Sequence, residues 1–142
     1  MRKKKNGIIF SCMLFLLVGN ITALAKNQDF SFIIYKGEDH ETIFTETKSD
    51  NEQNAYITLK RERSDCFAEG RSALGVRVRT AWAPGQSAGI ACTSYSIFNR
   101  FQTKVLPYSL YRGVAGNPYT LYSQVDSSSS ESMIVAGGTW CP

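Results

Sequence analysis

Histidine occurs once in 142 residues, at His40, and the four cysteines form no Cys-x-x-Cys pair. A structural zinc site draws its ligands from several such residues, so no metal is expected. Serines are plentiful, and Ser87 falls in Gly85-Gln86-Ser87-Ala88-Gly89, a match to the Gly-x-Ser-x-Gly elbow. That turn carries the α/β-hydrolase nucleophile between a strand and a helix, however, and no segment here sustains a helical repeat. Acids are scarce late in the chain: after Glu69 only Asp126 and Glu131 remain, both beside a serine run. That leaves no source for two carboxylates facing each other across a glycosidase cleft. His40 lies between Asp39 and Glu41. A base with a carboxylate orienter, or a weak hard-cation site, is conceivable there, but a solvated acidic loop is the commoner outcome. The expectation is a non-enzyme with no cofactor.

Long hydrophobic runs are also missing, except near the start. Arg2 and Lys3 to Lys5 precede an apolar run from Ile8 to Val18, then Gly19-Asn20 and Ala23-Leu24-Ala25. Basic region, short apolar region and small-x-small site form the order that signal peptidase reads. Residues 1–25 are therefore expected to be a cleaved signal peptide and 26–142 a single domain. The apolar run is shorter than the roughly 20 residues of a spanning helix, so no stable membrane insertion is expected after cleavage. The predicted location is secreted or extracellular, with cell-envelope association open. Residues 26–142 carry 12 basic and 12 acidic side chains. The excess of positive charge belongs to the precursor, and nothing points to nucleic acid.

No segment sustains a helical repeat; alternation with period two recurs instead. "DFSFIIY" puts Phe30, Phe32 and Ile34 on one face, and "AYITLKRER" does so with Ala55, Ile57 and Leu59. "VRVRTAW" sets Val76, Val78, Thr80 and Trp82 against Arg77, Arg79 and Ala81. In "GIACTSYSIFNRFQTKV", one long strand or two shorter ones, Ala91, Thr93, Tyr95, Ile97, Asn99 and Phe101 are in phase. "PYSLYRGV" (107–114) and "PYTLYSQV" (118–125) echo each other around a turn-rich "GVAGN", which predicts an antiparallel hairpin. "MIVAGGTW" predicts a last strand interrupted by its glycines. The fold class is all-β, an antiparallel sandwich of about six to eight short strands.

Trp82, Tyr108, Tyr111, Tyr119, Tyr122 and Trp140 are candidates for an aromatic binding surface, since rings with a polar tip suit a half-wet face. Parity sends one tyrosine of each echoed pair inward. Arg77 and Arg79 suggest an anion or partner site, although arginines on a strand more often form a solvated face. Cys66, Cys92 and Cys141 are disulfide candidates in an oxidising compartment. Any pair closes a loop worth roughly 3 to 4.5 kcal/mol, so spacing does not choose among them. A bond to Cys141 is favoured because it would hold the last strand. The leftover thiol is either buried or free to make a homodimer.

The start "KNQDFSF", then "KSDNEQNAYITL", "GNPYTLYSQV" and Gly138-Thr139-Trp140-Cys141-Pro142, resemble small secreted proteins of Gram-positive bacteria. Those belong to an uncharacterised family similar to the lactococcin-type bacteriocins. The resemblance implies an exported compact β-sandwich, sometimes accompanied by a membrane protein and transporter. In bacteriocin members it implies an attack on cell-wall synthesis at the lipid-linked precursor. Three cysteines within 26–142 and Pro142 as the last residue depart from the pattern, and no site residue carries over beyond the closing motif. The expected function is binding of a cell-wall precursor, glycan or surface protein, in a bacteriocin-like manner. The alternative is a structural or interaction protein of the cell envelope, disulfide-linked as a dimer.

Overall fold

The computed structural model describes residues 26–41, 45–81 and 89–142. The expected signal peptide and Trp82 fall outside the described residues, and of His40 and Glu41 only the backbone is described. Nine strands appear among them. In β1 (Gln28–Tyr35) the alternation holds throughout: Phe30, Phe32 and Ile34 are buried and their neighbours exposed. The acidic stretch supplies two short strands, β2 (Asp39–Glu41) and β3 (Glu46–Thr47). β4 (Asn54–Leu59) buries Ala55, Ile57 and Leu59, and β5 (Leu74–Thr80) buries Val76 and Val78 while Arg77 and Arg79 point outward. β6 (Ser96–Phe98), β7 (Thr103–Pro107), β8 (Pro118–Val125) and β9 (Met133–Cys141) complete the set.

One sheet runs β1-β9-β4-β7 and the other β2-β8-β5-β6, with β3 also paired to β8. All strand pairings are antiparallel. The inner faces share one apolar cluster, in which Phe32, Ile57, Leu106 and Trp140 of the first sheet join Val78, Phe98, Tyr119 and Leu121 of the second. Two antiparallel sheets closing on one core make the all-β sandwich.

Three local expectations are corrected. Between β5 and β7 the in-phase set does not share one face: Thr93 is buried and Phe101 packs against the core, while Tyr95 and Ile97 face out and the even-numbered Cys92 and Phe98 are buried. Cys92 and Thr93 both direct their N–H to the Val78 carbonyl, at 2.9 and 3.3 Å, the two-against-one pairing of a β-bulge. The echoed segments do not form a hairpin. β8 takes the second copy and pairs with β5, β2 and β3, whereas the first copy leaves β7 at Pro107 and coils into a 3-10 turn at Ser109–Tyr111. The glycines of β9 do not interrupt it either. A Cβ on Gly138 would lie 1.8 Å from the Thr58 carbonyl, and one on Gly137 2.4 Å from that of Arg63. Glycine is what lets the neighbouring backbone close onto this strand.

The favoured disulfide is not formed: Cys66, Cys92 and Cys141 are all free thiols. β9 is held without it. It is an inner strand, paired to β1 over eight residues and to β4 over four, and Trp140 is buried in the core. Beyond it the Lys48 ammonium, 2% exposed, donates to the Pro142 main-chain oxygen at 2.9 Å and pairs with Asp50 at 3.0 Å. A buried lysine needs such partners, because an unpaired buried charge costs several kcal/mol. Burial pushes the Asp50 carboxyl up, but Lys48 and the Glu52 N–H outweigh it and hold it below its usual range.

Candidate functional site

The proposed aromatic platform does not assemble. Tyr108, Tyr119, Tyr122 and Trp140 are all buried, and only Tyr111 among the five described candidates is exposed. Tyr108, Tyr119 and Trp140 belong to the core cluster. Tyr122 is different, because it is buried on the outer face of its sheet.

On that face β5 presents Arg77 and Arg79 side by side, since strand residues two apart share a face. Arg77 stands opposite Tyr122, and Arg79 opposite Thr120. The Tyr122 ring therefore lies beneath both guanidinium groups, with Arg79 3.6 Å and Arg77 4.8 Å from its centroid. Tyr95 closes the cluster from the segment before β6, 4.4 Å from the Arg77 guanidinium and edge-on to Tyr122 at 6.0 Å. Gly75 makes room for it, because a Cβ there would meet the Tyr95 ring at 3.2 Å. Two arginines packed on two tyrosines form a layer in which cation–π contacts, each worth about 0.5 to 2 kcal/mol, hold the guanidinium groups in place.

Polar atoms in this layer are only partly spent. The Tyr122 hydroxyl donates to Asp39 Oδ2 on β2 at 2.6 Å. Burial first, and that hydrogen bond second, push its pKa well above the ordinary phenol value. Thr120 Oγ1 and Arg77 Nε are buried without a hydrogen-bond partner, and no described carboxylate pairs with Arg77. A guanidinium held in place with no described carboxylate on it is suited to accepting an anion, because its fork of donors matches an oxyanion bidentately. A shallow cleft of about 420 Å³ adjoins the layer, lined by Asp39 and Gln124 with Lys36 and Asp126.

Nothing in the layer constitutes a nucleophile beside a base. Across the described residues no group of three His, Cys, Asp or Glu side chains is placed to hold a metal, and no helix is long and apolar enough to cross a membrane. Cys92 and Cys141 are buried, and burial pushes both thiols above their usual range, away from the thiolate that would react. Among the described cysteines only Cys66 is exposed. Sequence reasoning reached Arg77, Arg79 and Tyr122 but missed Tyr95 and Asp39. The signal for Tyr95 was Gly75, a glycine inside a strand, which often marks a close approach.

No protein-family model matches the chain, and no curated protein matches it.

Proposed function

We propose that the chain is an exported, non-enzymatic β-sandwich that acts by binding a cell-surface or cell-wall component in a bacteriocin-like manner. The layer of Arg77, Arg79, Tyr95 and Tyr122 is the contact surface. The observation that carries this reading is the Arg77 guanidinium, in contact with two tyrosine rings and with no described carboxylate to neutralise it. Anionic groups and ring faces of a wall polymer, its precursor or a surface protein would satisfy both halves of that layer. Export rests on the order of basic, apolar and small residues in 1–25.

Binding of the purified protein to bacterial cell-wall fragments tests it. Arg77→Ala should weaken binding about tenfold or more while leaving the fold intact. Equal binding by wild type and Arg77→Ala would remove this face from the account. Inactivity against the growth of a broad bacterial panel would remove the bacteriocin-like part. A second reading, an envelope protein that dimerises through a disulfide, is favoured by one observation, the exposure of Cys66. It predicts a dimer on non-reducing gels that vanishes in Cys66→Ser.

A further inference from the structure

Five described residues have a left-handed backbone: Gly37, Gly70 and Gly116, then Leu110 and Tyr111, both at φ 54°. At three of them the chain supplies glycine, which adopts that conformation without steric cost. At the other two, adjacent in sequence, it supplies residues whose Cβ resists it. Leu110 and Tyr111 are also the two most exposed large hydrophobic side chains among the described residues, at 80% and 85%. Local preference and burial both argue against leucine and tyrosine here. No described residue covers either side chain.

The turn that carries them is firmly built. Tyr108 N–H donates to the Gln53 carbonyl at 2.9 Å, and Ser109 N–H to that of Cys92 at 2.8 Å. The Gln53 side chain donates to the Gly113 carbonyl at 2.6 Å and accepts from Gly113 N–H at 3.2 Å. Tyr119 Oη accepts from Val114 N–H at 2.9 Å and donates to the Arg112 carbonyl at 2.5 Å. Arg112 is turned back, its Nη1 on the Ala91 carbonyl at 2.6 Å.

We infer that the Ser109–Tyr111 turn is a preorganised anchor that seats Leu110 and Tyr111 in an apolar slot of a partner protein. A bilayer is the competing occupant, but a fluid surface gains nothing from a fixed backbone, whereas a shaped pocket does. Shallow insertion of so few residues would also need a second, electrostatic attraction. The charges of residues 26–142 cancel, and Arg112 is directed to Ala91 rather than outward. A second copy fits poorly: two described clefts are lined by charged residues such as Arg100 and Lys104, or Lys36 and Asp39, and the third, beside Phe67 and Phe101, also carries Arg61, Asp65 and Glu69. Tyrosine is among the residues most enriched as interface anchors.

The test replaces Tyr111 with the photoreactive p-benzoylphenylalanine in protein expressed from the full chain, which is then irradiated on intact bacterial cells. Val105, exposed on a different part of the surface, serves as the control position. Phosphatidylcholine–phosphatidylglycerol vesicles form a parallel arm. The expected result is one discrete protein adduct from position 111, at least tenfold above that from position 105. Unlabelled wild type should compete it away. Val105→Ser should compete equally well, and Leu110→Asn, whose asparagine tolerates the left-handed backbone, should not, although its melting temperature is retained. Lipid labelling, an adduct with a second copy, equal labelling at both positions, no adduct, or competition by Leu110→Asn would each overturn the proposal.

Discussion

Pro107–Val114 and Pro118–Val125 share the pattern Pro-Tyr-Ser/Thr-Leu-Tyr-x-x-Val, and the molecule puts them to opposite uses. In the second copy every residue from Tyr119 to Ser123 is buried, and the segment is a straight strand at the centre of its sheet. In the first, Tyr108 is buried but Leu110 and Tyr111 protrude from a left-handed turn. Local sequence is nearly constant between the two, so partners decide. β8 finds a strand on each side. The first copy meets Gln53, Cys92 and the Tyr119 hydroxyl, which occupy its backbone groups one by one. Gly113 permits this, because a Cβ there would strike the Tyr108 ring at 2.7 Å and the Glu52 carbonyl at 2.9 Å. One copy thus holds the other in position.

Truncating the holder should have the largest effect. Tyr119→Ala empties a fully buried site and should destabilise by about 3 to 5 kcal/mol in denaturant unfolding. Tyr111→Ala, the matching change on the exposed copy, should stay within about 0.5 kcal/mol. Similar losses at both positions would mean that the first copy is core after all.

Tyr119→Phe separates holding from filling. The ring remains, but the partners of Val114 N–H and the Arg112 carbonyl are lost, at a cost of about 1 to 3 kcal/mol. Amide exchange should quicken at Val114 and leave β8 largely unchanged. Uniform quickening would show that the hydroxyl serves the whole core rather than the turn.

Alkaline pH probes the same junction. Burial raises the folded-state pKa of the Cys92 and Cys141 thiols above their unfolded value near 9.0. Their contribution is therefore complete below about that pH and is lost as pH rises toward the folded values. Tyr108 is shifted in the same direction, by burial first. The melting temperature should be flat through neutrality and fall above about pH 9, and Cys92→Ala should make the fall shallower. An unchanged slope would place that thiol in water.

The parts of the fold that the sequence made legible are those in which a strand has one wet and one dry face. β1, β4 and β5 follow the period-two rule, so Phe30, Ile57 and Val78 were placed inward from spacing alone. It failed where both faces carry large apolar residues. Between residues 91 and 101 the odd-numbered set is in phase, yet Thr93 is buried while Tyr95 faces outward to pack on Arg77. The interaction that spends Tyr95 lies across the sheet, invisible to a local pattern. The echoed motif failed for a similar reason, since Gln53 is far away in sequence. For the candidate site, the sequence brought out Arg77, Arg79 and Tyr122 but not Tyr95, nor that the arginines rest on those two rings. The clasp at the end of β9 was expected from a cysteine and is made by Lys48, whose burial has no local signature.

The most direct measurement of the difference between the two copies is the unfolding free energy of Leu110→Gly. If the first copy holds leucine in a left-handed backbone for the sake of an external contact, glycine relieves that strain. Stability should then rise by up to about 1 kcal/mol. A fall of about 0.5 to 1 kcal/mol, the ordinary cost of glycine in regular backbone, would show that Leu110 sits without strain, and the contrast between the two copies would collapse.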